Sequence, residues 1–320
     1  MSGSAPERSV TVFAPATVAN VAVGFDVLGF ALDGVGDRVT LTLDESSSGL
    51  TIESISGVEV DLPKEADRNT ATVALAALVR GCGVETGLAV ALQKGIPLGS
   101  GMGGSAASAV AAVVAADRLF RLDLSREELL RYALEGERVA SGAAHADNAA
   151  PCLWGGLTAA IAHDPPEVVR LPVPDALVCT LVHPRMRIET RAAREVLPRE
   201  IPLGAWVEQS MHLCGFLVGC FEGDLSRMGR SMVDRIVGPA RSSLIPGHDR
   251  ARDGAVRAGA LGFGIAGSGP SVFAWSSSPD TARAVERELR AAFAAAGLDT
   301  DSWISPVSRR GARVESGCGS

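Results

Sequence analysis

The chain has 320 residues, of which 47% are hydrophobic and only 4% aromatic, and its formal net charge is −7. That length builds one large domain or two, two being the better expectation, around a core of Ala, Val and Leu rather than rings. The acidic balance gives no electrostatic ground for nucleic-acid binding, and no apolar run approaches the ~20 residues of a bilayer span. Residues 1–9 are polar and lack an apolar signal core. Arg250, Arg252 and Arg257 alternate with Asp249 and Asp253 and read as a solvated helix face. Cys82, Cys152, Cys179, Cys214, Cys220 and Cys318 show no Cys-x-x-Cys or zinc-finger spacing. Most lie among apolar neighbours, the pattern of buried thiols in a reducing compartment, here the cytoplasm.

In chain order, polar–apolar alternation predicts strands over 38–43 and, more loosely, 50–55. Asn69 or Thr70 caps a helix running to Arg80, stopped by Gly81 and Gly83. A third strand over 87–93 precedes a glycine-rich loop. Ser125 and Glu128 form a capping box and open a helix that ends near Ser141-Gly142. A strand follows over 158–162. The polar crossing His163-Asp164-Pro165-Pro166, with Pro172 and Pro174 beyond it, predicts a domain boundary within 163–175. After it come a strand (176–182), helices (192–197, 206–221 and 250–260), a strand (271–275) and an amphipathic helix (281–296). Strands and helices mix without a strict βαβ rhythm, which predicts α+β rather than a doubly wound sheet. No internal repeat is visible. The Gly- and Ser-rich tail after Arg309 is expected to fray.

The loop reads Pro97-Leu98-Gly99-Ser100-Gly101-Met102-Gly103-Gly104-Ser105-Ala106-Ala107 and runs into a helix of small residues. Glycines that open a helix expose free backbone N–H groups at its positive end, which together make an anion site, most often for phosphate. A Walker A loop would need Gly-Lys-Ser/Thr, and no lysine falls between Gly95 and Ala116. Gly99, Gly101 and Gly104 spell G-x-G-x-x-G, but five residues separate them from the strand. Another helix start, not a strand, follows, and Asp117 lies on the helix itself. A structural glycine turn before a core helix is the remaining alternative.

The loop resembles motif two of the GHMP kinases, small-molecule kinases whose pattern is Pro-x-x-x-Gly-Leu/Met-x-Ser-Ser-Ala. Pro97, Gly101, Met102, Ser105 and Ala106 match, and Gly104 stands where the family usually has the first serine. Residues 14–29 resemble motif one in the homoserine-phosphorylating branch, and residues 262–273 resemble motif three. His145-Ala146-Asp147-Asn148 and Leu244-Ile245-Pro246-Gly247 look like marks of the same branch.

The resemblance implies an α+β, two-domain GHMP-kinase fold. Its N-terminal ATP-binding domain would be residues 1–165, and residues 166–320 would form a ferredoxin-like α/β sandwich domain. It implies in-line transfer from Mg-ATP to the side-chain hydroxyl of L-homoserine. Other readings are a GHMP kinase for another small alcohol, or an inactive small-molecule sensor on the same fold. ATP is placed on Pro97 through Ala107, including Leu98, Gly99, Ser100, Gly103 and Ala107, and Mg2+ on Ser105 and Glu137. Asn20, Asp26 and Asp147 would surround the polar head of homoserine. Arg194 and Arg241 would grip its carboxylate or the transferring phosphoryl, and Gly267 would sit in a second backbone loop beside the site. Glu137 and Arg194 are the catalytic candidates. The partners implied are L-homoserine and ATP, with a homodimer allowed and neither nucleic acid nor membrane.

The residues themselves leave blander alternatives open. Arginine suits a carboxylate because its fork binds it bidentately, but each arginine alone reads as surface. Arg191 is a near neighbour, and the Thr-x-x-Ala-Arg spacing selects Arg194. By pattern alone Glu137 joins Arg131, Glu135 and Arg138 on a charged helix surface, and His145 reads equally as a helix-cap or core histidine. Asn20 and Asp26 lie in an otherwise apolar stretch and need partners. The only lysines are Lys64 and Lys94, neither in motif one, so the aspartate–lysine base of some relatives is missing. Positioning and electrostatics then carry the acceleration.

Overall fold

The computed structural model describes residues 8–58, 62–141 and 145–315. Residues 1–7, Gly142, Cys318 and the end of the tail lie outside the described residues.

The first layer is a seven-stranded sheet: β1 (Ser9–Ala19), β2 (Leu28–Asp44), β3 (Leu50–Gly57), β4 (Gly87–Lys94), β5 (Leu157–His163), β6 (Pro166–Leu171) and β11 (Arg313–Glu315). β2 pairs antiparallel with β1, β4 and β5, and β3 pairs parallel with β4. Helices α1 (Thr70–Gly81), α2 (Gly104–Phe120), α3 (Arg126–Ser141) and α4 (Ala146–Trp154) accompany this sheet. α2 is almost wholly buried because Ala and Val dominate it, and side chains this small allow close approach on every side.

The second layer is a four-stranded antiparallel sheet in the order β10 (Thr300–Pro306), β7 (Val178–Pro184), β9 (Val272–Ser276), β8 (Gly262–Ile265). Its connections carry α5 (Thr190–Glu195), α6 (Leu203–Glu222), α7 (Leu225–Ser231), α8 (Val237–Ser242), α9 (His248–Arg257) and, between β9 and β10, α10 (Pro279–Ala294). Reduced to β7-α-β8-β9-α10-β10, this is the ferredoxin-like arrangement expected. The amphipathic helix predicted over 281–296 starts slightly earlier, with Ser278 capping Thr281 N at 3.2 Å and Pro279 in the first turn.

Two expectations change. The division at 165/166 passes through a hairpin, for His163 pairs with Pro166 and β6 stays in the first sheet up to Leu171. Pro165 and Pro166 occupy the turn and the start of an edge strand, where a missing N–H costs nothing, while Pro172 and Pro174 lie beyond Leu171 in the segment that leads to β7, inside the predicted 163–175 window. The tail does not fray directly after Arg309: Arg313–Glu315 pairs antiparallel with β1, and Arg38 binds the Glu315 carboxylate at 2.8 and 2.9 Å. The short strand carries one ladder and one bidentate ion pair, too little local signal to stand out from glycine-rich surroundings.

Candidate functional site

The β1–β2 turn supplies Asn20 and Asp26. Asn20, Val21, Ala22 and Asp26 all have positive φ, between 48° and 71°, in a loop with no alternative left to side-chain-bearing residues. Each such residue costs ~1–3 kcal/mol and persists only where its surroundings enforce it. The enforcing bonds are present: Asn20 N donates to Leu28 O at 2.7 Å, Gly24 N to Asn20 O at 2.8 Å, and Gln209 of α6 to Val23 O at 2.7 Å. Asn20 Nδ2 donates to Gly267 O at 2.8 Å, and Arg241 Nη1 donates to the same carbonyl at 2.8 Å. Gly267 therefore ties the first layer to the second, and its φ of +54° is one that glycine takes without strain.

Arg194, at the end of α5, reaches Asp26 with both terminal nitrogens, at 3.0 and 3.2 Å. Asp26 Oδ2 also lies 3.4 Å from His145 Nδ1. Burial pushes the His145 imidazole below its ordinary pKa, against the pull of Asp26. The Phe25 ring lies against two guanidinium groups, Arg194 at 5.6 Å and Arg241 at 5.3 Å. Burial and the nearby Arg194 charge both lower the pKa of Arg241.

The loop before α2 turns on Gly99, Gly101 and Gly103, with φ of +63°, +78° and +69°. Gly103 caps the helix without a side-chain bond, so the first-turn N–H groups face outward. Neighbouring elements clamp the loop: Thr17 N donates to Met102 O at 3.1 Å, Ile188 N to Gly99 O and Ser271 N to Ser100 O, each at 3.2 Å. Gly101 packs against the second glycine loop so closely that a Cβ would collide with the carbonyls of Ala266 and Gly269.

Beneath the loop lies a buried ion pair between Lys94 and Asp37. Lys94 Nζ also donates to Gly104 O at 2.9 Å and to Ser108 Oγ at 2.8 Å, while Asp37 Oδ1 accepts from Gly95 N and Ile96 N at 2.9 and 3.1 Å. The pair fastens the end of β4 to the first turn of α2. Glu137, buried on α3, has its pKa raised to about 7 by burial, partly offset by a hydrogen bond from Ser105 and by the Lys94 charge. Asp147, buried on α4, is likewise raised to about 7 by burial and then by the Asp26 and Glu137 charges.

These groups share one cavity of about 370 Å³. Asn20, Asp26, Glu137, Asp147, Arg194, Arg241 and Gly267 line it, as do Pro97, Leu98, Gly99, Ser100, Gly101, Gly103, Gly104 and Ser105. Met102, Ala106 and Ala107 do not; all three are fully buried in the core, fastening the loop from behind. Arg191 points away, its side chain 86% exposed and paired with Glu195. Sequence reasoning missed Lys94, which also lines the cavity; a lone lysine ending an apolar strand, with Asp37 on the neighbouring strand, was the available signal. Asn148 was quoted only within its block; Thr17 Oγ1 fixes it with a 2.8 Å bond to Oδ1.

The donor set fits magnesium. A buried carboxylate held near neutrality beside a serine hydroxyl gains from a small hard cation, and Mg2+ takes few protein oxygens. Among the described residues no group of three His, Cys, Asp or Glu comes together as a metal site.

Family profiles described as "GHMP kinases N terminal domain" and "GHMP kinases C terminal" match residues 69–156 and 216–295. The two-layer fold with a glycine loop opening α2 is that of an ATP-dependent small-molecule kinase of the GHMP class. A homoserine kinase of Chlorobium phaeobacteroides is 45% identical over 318 residues, covering 96% of this chain and 99% of the relative. One of Xylella fastidiosa is 45% identical, covering 94% and 92%. The crystal structure of homoserine kinase from Cytophaga hutchinsonii superposes with a TM-score of 0.94 at 44% identity, over 98% of this chain and 100% of that one. The chain belongs to the homoserine kinase family. A mevalonate kinase of L. major, at 16% identity and a TM-score of 0.73, shares the fold.

Proposed function

We propose that this chain transfers the γ-phosphoryl group of ATP to the side-chain hydroxyl of L-homoserine, giving O-phospho-L-homoserine. The observation that carries this reading is the meeting of two recognition surfaces in one cavity: the loop 97–105 and the cluster of Asn20, Asp26, Arg194 and Arg241. The free N–H groups opening α2 hold phosphate oxygens. Ser105 and Glu137 would hold Mg2+, which would supply charge neutralisation to the ATP phosphates. Asp26 and Asp147 face the ammonium of the amino-acid acceptor. Arg241, braced by Gly267 and Ala193 carbonyls, grips its carboxylate, and Arg194 serves either the carboxylate or the transferring phosphoryl. No dedicated base is assigned; holding hydroxyl and phosphorus in line supplies the acceleration. The same reading makes ATP and L-homoserine the partners and the cytoplasm the compartment, allows a homodimer, and involves no nucleic acid or membrane. Among the described residues no helix is long and apolar enough to cross a membrane.

The test is ADP release measured against a panel of L-homoserine, mevalonate and galactose, with the product read by phosphorus NMR. Homoserine-dependent turnover is expected. Turnover on another alcohol alone moves the chain to a different GHMP kinase activity, and tight binding of ATP and homoserine without turnover makes it a sensor.

A further inference from the structure

A second cavity, of about 860 Å³, lies where the two layers join and shares no lining residue with the first. Its charged lining is four arginines and two aspartates: Arg170 of β6, Arg309 and Arg310 in the β10–β11 connection, Arg313 of β11, and Asp33 and Asp175. On a chain of net charge −7 this is a local excess of positive charge. Arg309 pairs with Asp175, and Arg313 lies over the Phe13 ring at 4.4 Å. Among the described residues Arg170 and Arg310 have no carboxylate partner. Three prolines in the wall, Pro172, Pro174 and Pro306, hold the cleft in shape, so a ligand orders little backbone on entering. Gly155 and Gly156 leave the arginines their room. A Cβ at Gly156 would stand 3.3 Å from Arg170 Nη2, and one at Gly155 would stand 2.5 Å from the Arg310 carbonyl carbon.

We propose that this cleft is an effector site for a compact multivalent oxyanion, and that its occupancy is felt at the acceptor end of the active site through α4. The guanidinium fork matches phosphate and carboxylate oxygens bidentately, and two forks without counter-ions gain most from a ligand carrying more than one negative charge. The volume falls in the range of small-molecule sites, and the acidic balance of the whole chain disfavours a nucleic acid as the source of the phosphates. α4 joins the two cavities. Its first turn carries Asp147 and Asn148, which line the active site. Its last turn is bonded to the arginine-bearing segment: Ala312 N donates to Cys152 O at 2.7 Å, and just beyond the helix Gly156 N donates to Ser308 O at 2.6 Å. The helix is about 13 Å long and buried along Ala149, Ala150, Cys152 and Leu153, so a displacement at one end moves the other. An anion that draws Arg170 and Arg310 together pulls on both sides of the 155–156 turn. The site itself is independent of the kinase reading; its coupling to the acceptor rests on that reading.

The experiment is calorimetry on the full chain at physiological salt with pyrophosphate and citrate as probes, in excess ADP and without metal so that the glycine loop is already filled. One equivalent of anion is expected to bind with a submillimolar Kd. Arg170→Gln/Arg310→Gln, shown to be folded by circular dichroism, is expected to weaken it about a hundredfold, the loss of two charge-assisted contacts. Preference for pyrophosphate assigns the site to phosphorylated molecules, preference for citrate to polycarboxylates. No saturable binding, or binding that both glutamines leave intact, overturns the site. Coupling is read from steady-state kinetics at constant free Mg2+: the anion is expected to change the homoserine KM several-fold in the parent protein and not in the double variant, with the ATP KM unmoved. An effect confined to the ATP KM, or one that survives in the variant, places the anion in the glycine loop and overturns the coupling. Absence of any homoserine turnover removes the kinase reading instead, and calorimetry still decides the site.

Discussion

Arg194 donates to both carboxylate oxygens of Asp26 across the two layers, at 3.0 and 3.2 Å, so the two groups proposed for the opposite ends of the amino-acid acceptor are themselves paired. In the proposed reading the zwitterion's ammonium meets Asp26 and its carboxylate the arginines, each replacing one half of that pair. Arg194→Ala leaves Asp26 with His145 alone. Loss of one charge-assisted hydrogen bond is worth about 1.5–3 kcal/mol, so kcat/KM for homoserine is expected to fall on the order of ten- to a hundredfold. Arg191→Ala, on a side chain 86% exposed, is expected to be nearly silent. Steady-state kinetics on both variants decide it; the reverse ranking would place the working arginine at 191.

Phe25 lies against both Arg194 and Arg241, the two like charges proposed to bind the acceptor. A cation–π contact contributes ~0.5–2 kcal/mol. Phe25→Leu is expected to raise the homoserine KM several-fold while leaving the KM for ATP unchanged. A shift in both constants would mean that the ring supports the whole fold rather than the acceptor end.

Glu137 and Asp147 each have a folded-state pKa of about 7, above the unfolded carboxylate range. The folded chain thus binds more protons than the unfolded one between roughly pH 4 and 7, and stability without ligands falls as pH rises through that window, by a few kcal/mol in all. If Glu137 holds Mg2+, as proposed above, its carboxylate must be ionised. Mg-ATP affinity is therefore expected to rise with pH around 7, and that step should vanish in Glu137→Gln. The same variant should raise the ligand-free Tm at pH 8. Calorimetry across pH and thermal melts measure the two halves, and a pH-independent Mg-ATP affinity in the parent protein would remove Glu137 from the metal.

Gly101 cannot serve as a purely functional probe, since any side chain there pushes on the Ala266 and Gly269 carbonyls. Gly101→Val is expected to lower Tm and ATP affinity together. Gly104 is different: a Cβ there would sit 3.3 Å from Ile96 Cγ2 and 3.6 Å from Lys94 Nζ, ordinary or slightly tight contacts. Gly104→Ser restores the hydroxyl usual at this position. It is expected to change stability by less than about 0.5 kcal/mol and to leave ATP affinity equal or a few-fold tighter. A severe loss of affinity would show that the loop has been refitted around glycine.

How far the sequence reached depends on the distance over which each signal acts. Helices α1, α3 and α10 were legible because caps and periodicity are local, as with Asn69 over Ala71 and Ser125 with Glu128. The glycine loop was legible as a loop because the positive φ at Gly99, Gly101 and Gly103 demands glycine. The Lys94–Asp37 pair was not, since its partners are 57 residues apart and meet only when β2 and β4 align. Arg194 and Arg241 could be named only through family likeness; their burial depends on Phe25 and Gly267 in distant segments. β6 and β11 were hidden for a third reason: short edge strands with proline or glycine beside them carry little pattern of their own.

β11 has a consequence for how the chain is made. Glu315 sits opposite Thr11, so one edge of the first sheet stays bare until nearly all of the chain described here has left the ribosome. An open edge is a template for another chain, and nascent or truncated molecules ending before Arg313 would offer β1 to each other. The closing strand thus acts as a check on completeness, with the hazard of premature pairing confined to chains still being synthesised.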